Sequence, residues 1–203
     1  ESYPGASPHL YHNEGSGKFS DVTKKVGLYD PSSKALGVVA FDYDMDGWPD
    51  LFVTAVGGNK LYRNSGNGAF TDVTDKAGVG SSLWSASCAF GDIDNDGAVD
   101  LYVTNYVDFS VNNNKYCVFS GDTRVYCHPN VYNGVPDILY RNNGNGTFTD
   151  VTKTAGVYQP DGKGLGVVFG DYDGDGWVDI YVANDSTPNF LFHNKGKGVF
   201  EEV

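Results

Sequence analysis

Short apolar runs recur along the chain, each closed by Gly, Asn or Asp, and they fall into two repeating units. The first reads Leu36-Gly-Val-Val-Ala-Phe-Asp42, Ser85-Ala-Ser-Cys-Ala-Phe-Gly-Asp92 and Leu165-Gly-Val-Val-Phe-Gly-Asp171. After an aspartate-rich loop each resumes, as Asp50-Leu-Phe-Val-Thr, Asp100-Leu-Tyr-Val-Thr and Asp179-Ile-Tyr-Val-Ala. Short length, β-branched and aromatic content and turn-forming boundaries predict strands rather than helices. The near-continuous apolar character of the leading run predicts a strand buried on both faces, whereas the run after the loop can alternate.

The second unit is Leu10-Tyr11-His12-Asn13, Leu61-Tyr62-Arg63-Asn64, Leu139-Tyr140-Arg141-Asn142 and Leu191-Phe192-His193-Asn194, each followed by Gly-x-Gly-x-Phe. This predicts a strand, a tight turn and a second strand. Three copies continue into Asp-Val-Thr at Asp21, Asp72 and Asp150, and the fourth ends at Glu202-Val203. The copies are 51, 78 and 52 residues apart, so the middle one carries an insertion, placed at about 106–136.

The two units together make four short strands in about 50 residues, the size of one propeller blade. Repeated hairpins in a sandwich or solenoid are the alternative, but three near-identical periods favour the propeller. The expected fold is all-β, with four-stranded antiparallel blades at 36–74, 86–152 and 165–203 and an outer half-blade at 10–23. Three and a half blades do not readily close a ring, and they leave strand edges open. The chain is therefore expected to be part of a larger propeller, or to have its edges covered by neighbouring chains. It starts at Glu1 without a basic-then-apolar leader, as a processed chain or a piece of a longer one would.

Charge sharpens this picture. The formal net charge is −12 over 203 residues, yet twelve of the 26 carboxylates sit in three loops, leaving 14 acids to balance 14 bases elsewhere. The acidity is three local concentrations. It argues against nucleic acid or anionic lipid as the main partner. No apolar run is long enough to insert in a membrane as a helix.

The loops are Asp42-x-Asp44-x-Asp46-Gly-Trp48-x-Asp50, Asp92-x-Asp94-x-Asp96-Gly-Ala98-x-Asp100 and Asp171-x-Asp173-x-Asp175-Gly-Trp177-x-Asp179. Carboxylates at positions 1, 3 and 5 converge when the backbone curls, and Gly at position 6 permits the curl. The carbonyls of Trp48, Ala98 and Trp177 and the carboxylates of Asp50, Asp100 and Asp179 would complete each shell. Two such charges about 4 Å apart repel by about 4 kcal/mol at an effective dielectric near 20, so the cluster calls for a cation. All-oxygen ligands in a flexible loop favour Ca2+ over Mg2+, and the absence of His and Cys from the loops disfavours Zn2+. Three calcium sites are expected, one per blade. An EF-hand does not fit, because position 12 is Val53, Val103 or Val182 instead of Glu and the flanks are strands.

These motifs resemble the FG-GAP/VCBS repeats of integrin-like β-propellers, among them proteins of the cartilage acidic protein 1 and ASPIC/UnbV type. The likeness rests on Leu139-Tyr-Arg-Asn-Asn-Gly-Asn-Gly-Thr-Phe-Thr-Asp-Val-Thr152 joined to Val168-Phe-Gly-Asp-Tyr-Asp-Gly-Asp-Gly-Trp-Val-Asp-Ile-Tyr-Val-Ala-Asn184, and extends from residue 10 onward. It implies Ca2+ between the first two strands of each blade, an extracytoplasmic setting and a seven-bladed ring of which this chain is about half. The first repeat has Phe-Asp where the others have Phe-Gly, and an ASPIC-type C-terminal segment is missing.

Cys117 and Cys127 lie ten residues apart in the insertion, where a disulfide would staple a loop with little core of its own. Cys88 lies in an apolar run and is expected to be a small buried hydrophobe. The insertion's aromatics, with Arg124, make either a contact surface for a protein or glycan or a self-packed lid. Asn145 and Asn184 head N-glycosylation sequons. His9, His12, His128 and His193 share no metal spacing, and no nucleophile elbow, P-loop or dinucleotide fingerprint occurs, so no enzyme is expected. The expected function is a non-catalytic, calcium-binding propeller module for extracellular protein or glycan binding or adhesion. The alternatives are an assembly subunit that pairs through open blade edges, and a non-catalytic part of a larger secreted enzyme.

Overall fold

A computed structural model describes residues 8–203; Glu1 lies outside them. Strands β1 (Tyr11–Gly15) and β2 (Lys18–Asp21) form a two-stranded sheet. Blade 1 holds β3 (Ala35–Phe41), β4 (Asp50–Ala55), β5 (Lys60–Asn64) and β6 (Phe70–Asp72), in that spatial order. Blade 2 holds β7 (Ser85–Gly91), β8 (Asp100–Asn105), β11 (Ile138–Asn142) and β12 (Phe148–Asp150). Blade 3 holds β13 (Gly164–Gly170), β14 (Asp179–Asn184), β15 (Phe190–Asn194) and β16 (Phe200–Glu202). All pairings are antiparallel, and the inner strands interrupt their register at one place, Ala35/Gly37, Ser85/Ser87 and Gly164/Gly166. This is the architecture of β-propeller blades. No helix among the described residues is long and apolar enough to cross a membrane.

The core lies between blades. On β8, Leu101 and Val103 face blade 1 and pack with Phe52 and Leu61, while Tyr102 faces blade 3 and packs with Ile180 and Phe192. Alternation therefore buries both faces of the second strand, and every residue of β8 is buried. The leading strand departs from expectation. Val38 and Val168 are exposed, and β7, lying between β3 and β13, is the one leading strand with no exposed residue. A leading strand sits at a sheet edge, so only a neighbouring blade can cover its faces, and β3 and β13 each have one such neighbour. The same reason leaves Tyr11 and Phe19 exposed in the half-blade, where their counterparts Tyr140 and Phe148 are buried. Gly37 is required by a close approach: a Cβ there would lie 2.8 Å from Thr54 Oγ1 and 2.9 Å from the Ala86 carbonyl of the next blade.

One carboxylate is buried away from the loops. Asp137 accepts the Tyr102 hydroxyl at 3.1 Å and the Asn105 N–H at 2.7 Å, and a Cβ on Gly164 would press on it. Burial pushes its carboxyl up from 3.8 to about 7. Because the folded value lies above the unfolded one, the native state takes the proton first. The resulting stability is complete below the unfolded value and is lost as pH rises through 7. Between pH 6 and pH 8 the expected loss is on the order of 1 kcal/mol. Denaturant titrations at the two pH values should show Asp137→Asn with a flatter dependence than the parent by that amount. Equal slopes would refute the assignment.

The insertion divides into an anchor and a tip. Trp84 meets Tyr106 and Phe109 edge-on, Phe109 meets Tyr132, and the buried Lys163 ammonium donates to the Pro129 carbonyl and Asn130 Oδ1. Beyond this anchor, β9 (Cys117–Val118) pairs with β10 (Arg124–Val125), and a Cys117–Cys127 disulfide closes the hairpin. Tyr116, Phe119 and Tyr126 are exposed there, with Arg124 over the Tyr116 ring. Self-packing thus accounts for the anchor aromatics, but not for those at the tip. Cys88 is a free cysteine, only partly buried, on the core between blades 1 and 2.

Candidate metal centres in the blade loops

Each aspartate-rich loop links the leading strand of a blade to the second. Two left-handed residues bend it. Position 6 is Gly47, Gly97 or Gly176, with φ near +90°, where a side chain would be strained. Position 4 is also left-handed, at Met45 (φ 58°), Asn95 (φ 57°) and Gly174 (φ 79°), a strain that the Gly-based reading missed. The curl turns backbone N–H groups onto the first carboxylate. Asp42 accepts from the N–H of Asp46 and Gly47, Asp92 from those of Asp96 and Gly97, and Asp171 from those of Gly174, Asp175 and Gly176. Asp46, Asp96 and Asp175 in turn accept from the N–H of Trp48, Ala98 and Trp177.

Position 9 is a buried staple. Asp50, Asp100 and Asp179 are 0%, 1% and 2% exposed. One oxygen of each accepts the N–H of loop position 2 (Tyr43, Ile93, Tyr172) and the other accepts the N–H of the third-strand asparagine (Asn64, Asn142, Asn194). Burial pushes the Asp50 carboxyl up to about 6 and the Asp100 carboxyl up to about 7, despite those bonds. Burial, then the Asp96 charge, also raises Asp94.

Oxygens of Asp42, Asp44 and Asp50 lie within 4.8 Å of one another, as do those of Asp92, Asp94 and Asp96, and those of Asp171, Asp173 and Asp179. Asp46, Asp100 and Asp175 fall outside these groupings. Asp44 Oδ1 and Asp94 Oδ1 are buried without a hydrogen-bond partner. A buried carboxylate oxygen without a donor is costly, and a divalent cation is the species that would satisfy it beside other carboxylates. The donor set is carboxylate oxygen in all three loops, so the residues fit a hard cation.

Sequence reading missed two parts of this site. The first is the residue preceding the third-strand asparagine. Arg63 donates to Asp44 Oδ2 at 2.5 Å and to Asp46 Oδ2 at 2.6 Å. Among the described residues Arg141 makes no ion pair with the second loop, and its charge only partly offsets the rise of the Asp94 carboxyl. His193 Nδ1 lies 3.4 Å from Asp173 Oδ2 and 3.3 Å from Asp179 Oδ1, and groups with Asp173 and Asp175. The repeat alignment placed these three side chains at one position without showing what they face.

The second is the asparagine itself. Asn142 Nδ2 donates to the Val99 carbonyl of its own loop and to the Tyr43 carbonyl of the preceding blade's loop; Asn194 joins Val178 and Ile93 in the same way. The Tyr43 and Ile93 side chains are buried in the cores shared with the following blade, whereas Tyr172, with no following blade here, is 56% exposed. The first and second loops are therefore also blade-to-blade connectors. The Trp48 indole lies against Gly66 and the Trp177 indole against Gly196, each in the turn after the third strand. Of the remaining predicted residues, Asn145 is exposed at the β11–β12 turn, while the Asn184 Nδ2 is engaged by the Pro188 carbonyl.

A family model described as FG-GAP-like repeat matches residues 3–53, 42–103, 118–182 and 171–203. Consecutive matches share the first and third aspartate loops. Three proteins named cartilage acidic protein 1 are similar. The mouse protein is 26% identical over 217 residues, covering 81% of this chain and 33% of its own length. The Xenopus tropicalis protein is 26% identical over 231 residues (87% and 35%), and the human protein 28% identical over 180 residues (86% and 24%). The chain thus spans about a third or less of these relatives. A solved structure of an Agrocybe aegerita lectin, described for specific recognition of non-reducing terminal N-acetylglucosamine, aligns with a TM-score of 0.50 at 19% identity. It covers 97% of this chain and 46% of the lectin. At that identity the likeness shows the fold.

Proposed function

The chain belongs to the FG-GAP-like repeat family, and from that premise we propose that it is a non-catalytic, calcium-stabilised propeller module for binding outside the cell. One observation carries the reading: three carboxylate groupings in equivalent loops, two with a buried oxygen that no protein group satisfies. Bound Ca2+ would supply the missing positive charge. Asp42, Asp44 and Asp50 would hold it in the first loop, Asp92, Asp94 and Asp96 in the second, and Asp171, Asp173 and Asp179 in the third. The chain's own residues do the rest. Backbone N–H groups orient the first carboxylate, and the staple at position 9 fixes the loop to the third strand.

An extracytoplasmic setting is supported by the Cys117–Cys127 disulfide, a bond that persists in oxidising compartments, and by the extracellular character of the family. The binding partner is a protein or a glycan. The exposed rings of Tyr116, Phe119 and Tyr126 beside Arg124 are the surface best suited to it, since aromatic and Arg side chains dominate recognition energetics. Further blades or further copies of the chain would cover Tyr172 and the half-blade aromatics. Equilibrium dialysis against millimolar calcium tests the reading. Three ions should be retained per chain, and Asp44→Asn with Asp94→Asn should retain fewer. Retention of none would overturn it.

A further inference from the structure

The three loops match in their acidic residues but not in the side chain that faces them from the third strand. Arg63 spans two carboxylates of loop 1 with direct ion pairs. Arg141 makes no ion pair with the carboxylates of loop 2 among the described residues. His193 presents a ring nitrogen to Asp173 and Asp179 of loop 3. A guanidinium is always charged and cannot ligate a metal, whereas an imidazole nitrogen can. Arg63 is therefore a counter-cation already paired with Asp44, one of the carboxylates proposed to hold the ion, and with its neighbour Asp46.

We propose that this third-strand position sets the calcium affinity of each loop, with Arg63 an internal competitor that the incoming ion must displace from Asp44 and Asp46, so that loop 1 is the weakest site and loop 3 the strongest. The inference rests on the reading that the loops hold calcium. It adds that the sites fill in order, and that loop 1 has a second, metal-free way of neutralising its charge. Arg63 would hold that loop together at low calcium and give it up at high calcium. Fixed positive charge beside a cation site opposes binding, and the loss of two close ion pairs adds to that opposition.

The loops can be read separately because loop 1 carries Trp48, loop 3 carries Trp177 and loop 2 carries no tryptophan. In a Trp177→Phe background, Trp48-sensitised terbium luminescence reports loop 1, and calcium competition gives its affinity. Arg63→Gln should raise calcium affinity at loop 1 about tenfold. It should also lower the melting temperature in chelator while widening the gain on adding calcium. A side chain with a purely structural role would lower both melting temperatures together. Arg63→His, which copies blade 3, should strengthen loop 1 as well, and serves if the Gln variant does not fold. Conversely, His193→Arg should weaken loop 3 about tenfold, read through Trp177 in a Trp48→Phe background. Arg63 variants whose loop 1 affinity stays within twofold of the parent, while dialysis still finds three ions, would overturn the inference and leave the calcium reading standing. A parent chain that retains no calcium would overturn both.

Discussion

In excess chelator the chain should melt about 15–30 °C below its melting temperature in millimolar calcium. The size follows from linkage. A ligand at 100 times its dissociation constant stabilises the state that binds it by about 2.7 kcal/mol per site, so three sites give about 8 kcal/mol. In a domain of this length each kcal/mol moves the midpoint by about 2–4 °C. The unfolded chain cannot assemble the loops, because the three grouped aspartates of each converge only when the left-handed residues at positions 4 and 6 are held. Coupling between blades should make the effect cooperative. Tyr43 and Ile93 reach from their loops into the next blade, and Asn142 and Asn194 reach back to the loop carbonyls. Calorimetry with and without chelator measures the shift. Superimposable melts would remove calcium as a structural element of this protein.

The second large effect concerns a single side chain and does not depend on metal. Asp100→Ala should cost about 3–5 kcal/mol even in chelator, because it strips the acceptors from two buried N–H groups, those of Ile93 and Asn142, which then have no water to turn to. It cuts the tie between the second loop and β11 at the point where blade 2 meets both neighbours. Asp100→Asn keeps one acceptor oxygen and should cost distinctly less. The exposed loop residue Asp96 provides the contrast. Asp96→Ala in chelator strips a single acceptor, from the Ala98 N–H in a part-buried bond, and should cost about 1 kcal/mol. Denaturant titration in chelator separates these outcomes. Equal losses at positions 96 and 100 would mean that the staple contributes nothing beyond its charge.

The repeat made much of this legible without coordinates. Because one supersecondary unit recurs three times, strand order, hairpin pairing and the position of each acidic loop could be read from spacing alone. The convergence of Asp42 with Asp44, Asp92 with Asp94 and Asp171 with Asp173 follows from local backbone geometry, since residues two apart on a curled loop cannot avoid one another. The disulfide pairing was equally local, as two cysteines flanking a short hairpin have few other partners.

What depended on neighbours was not legible. The leading strand looked fully buried by its apolar content, yet Val38 and Val168 are exposed because burial of an edge strand is decided by the adjacent blade. Arg63 and His193 aligned at one repeat position, but their contacts with Asp44, Asp46, Asp173 and Asp179 arise from β5 and β15 lying across the loop in space. The asparagine after this position looked like a turn former, and only packing turned Asn142 and Asn194 into bridges between blades. Sequence by itself determined the unit and the chemistry within it, because both are set by interactions a few residues apart. Tertiary structure decided how units join and which charge answers which, because those interactions act across 15 to 101 residues of chain and exist only once the blades are stacked.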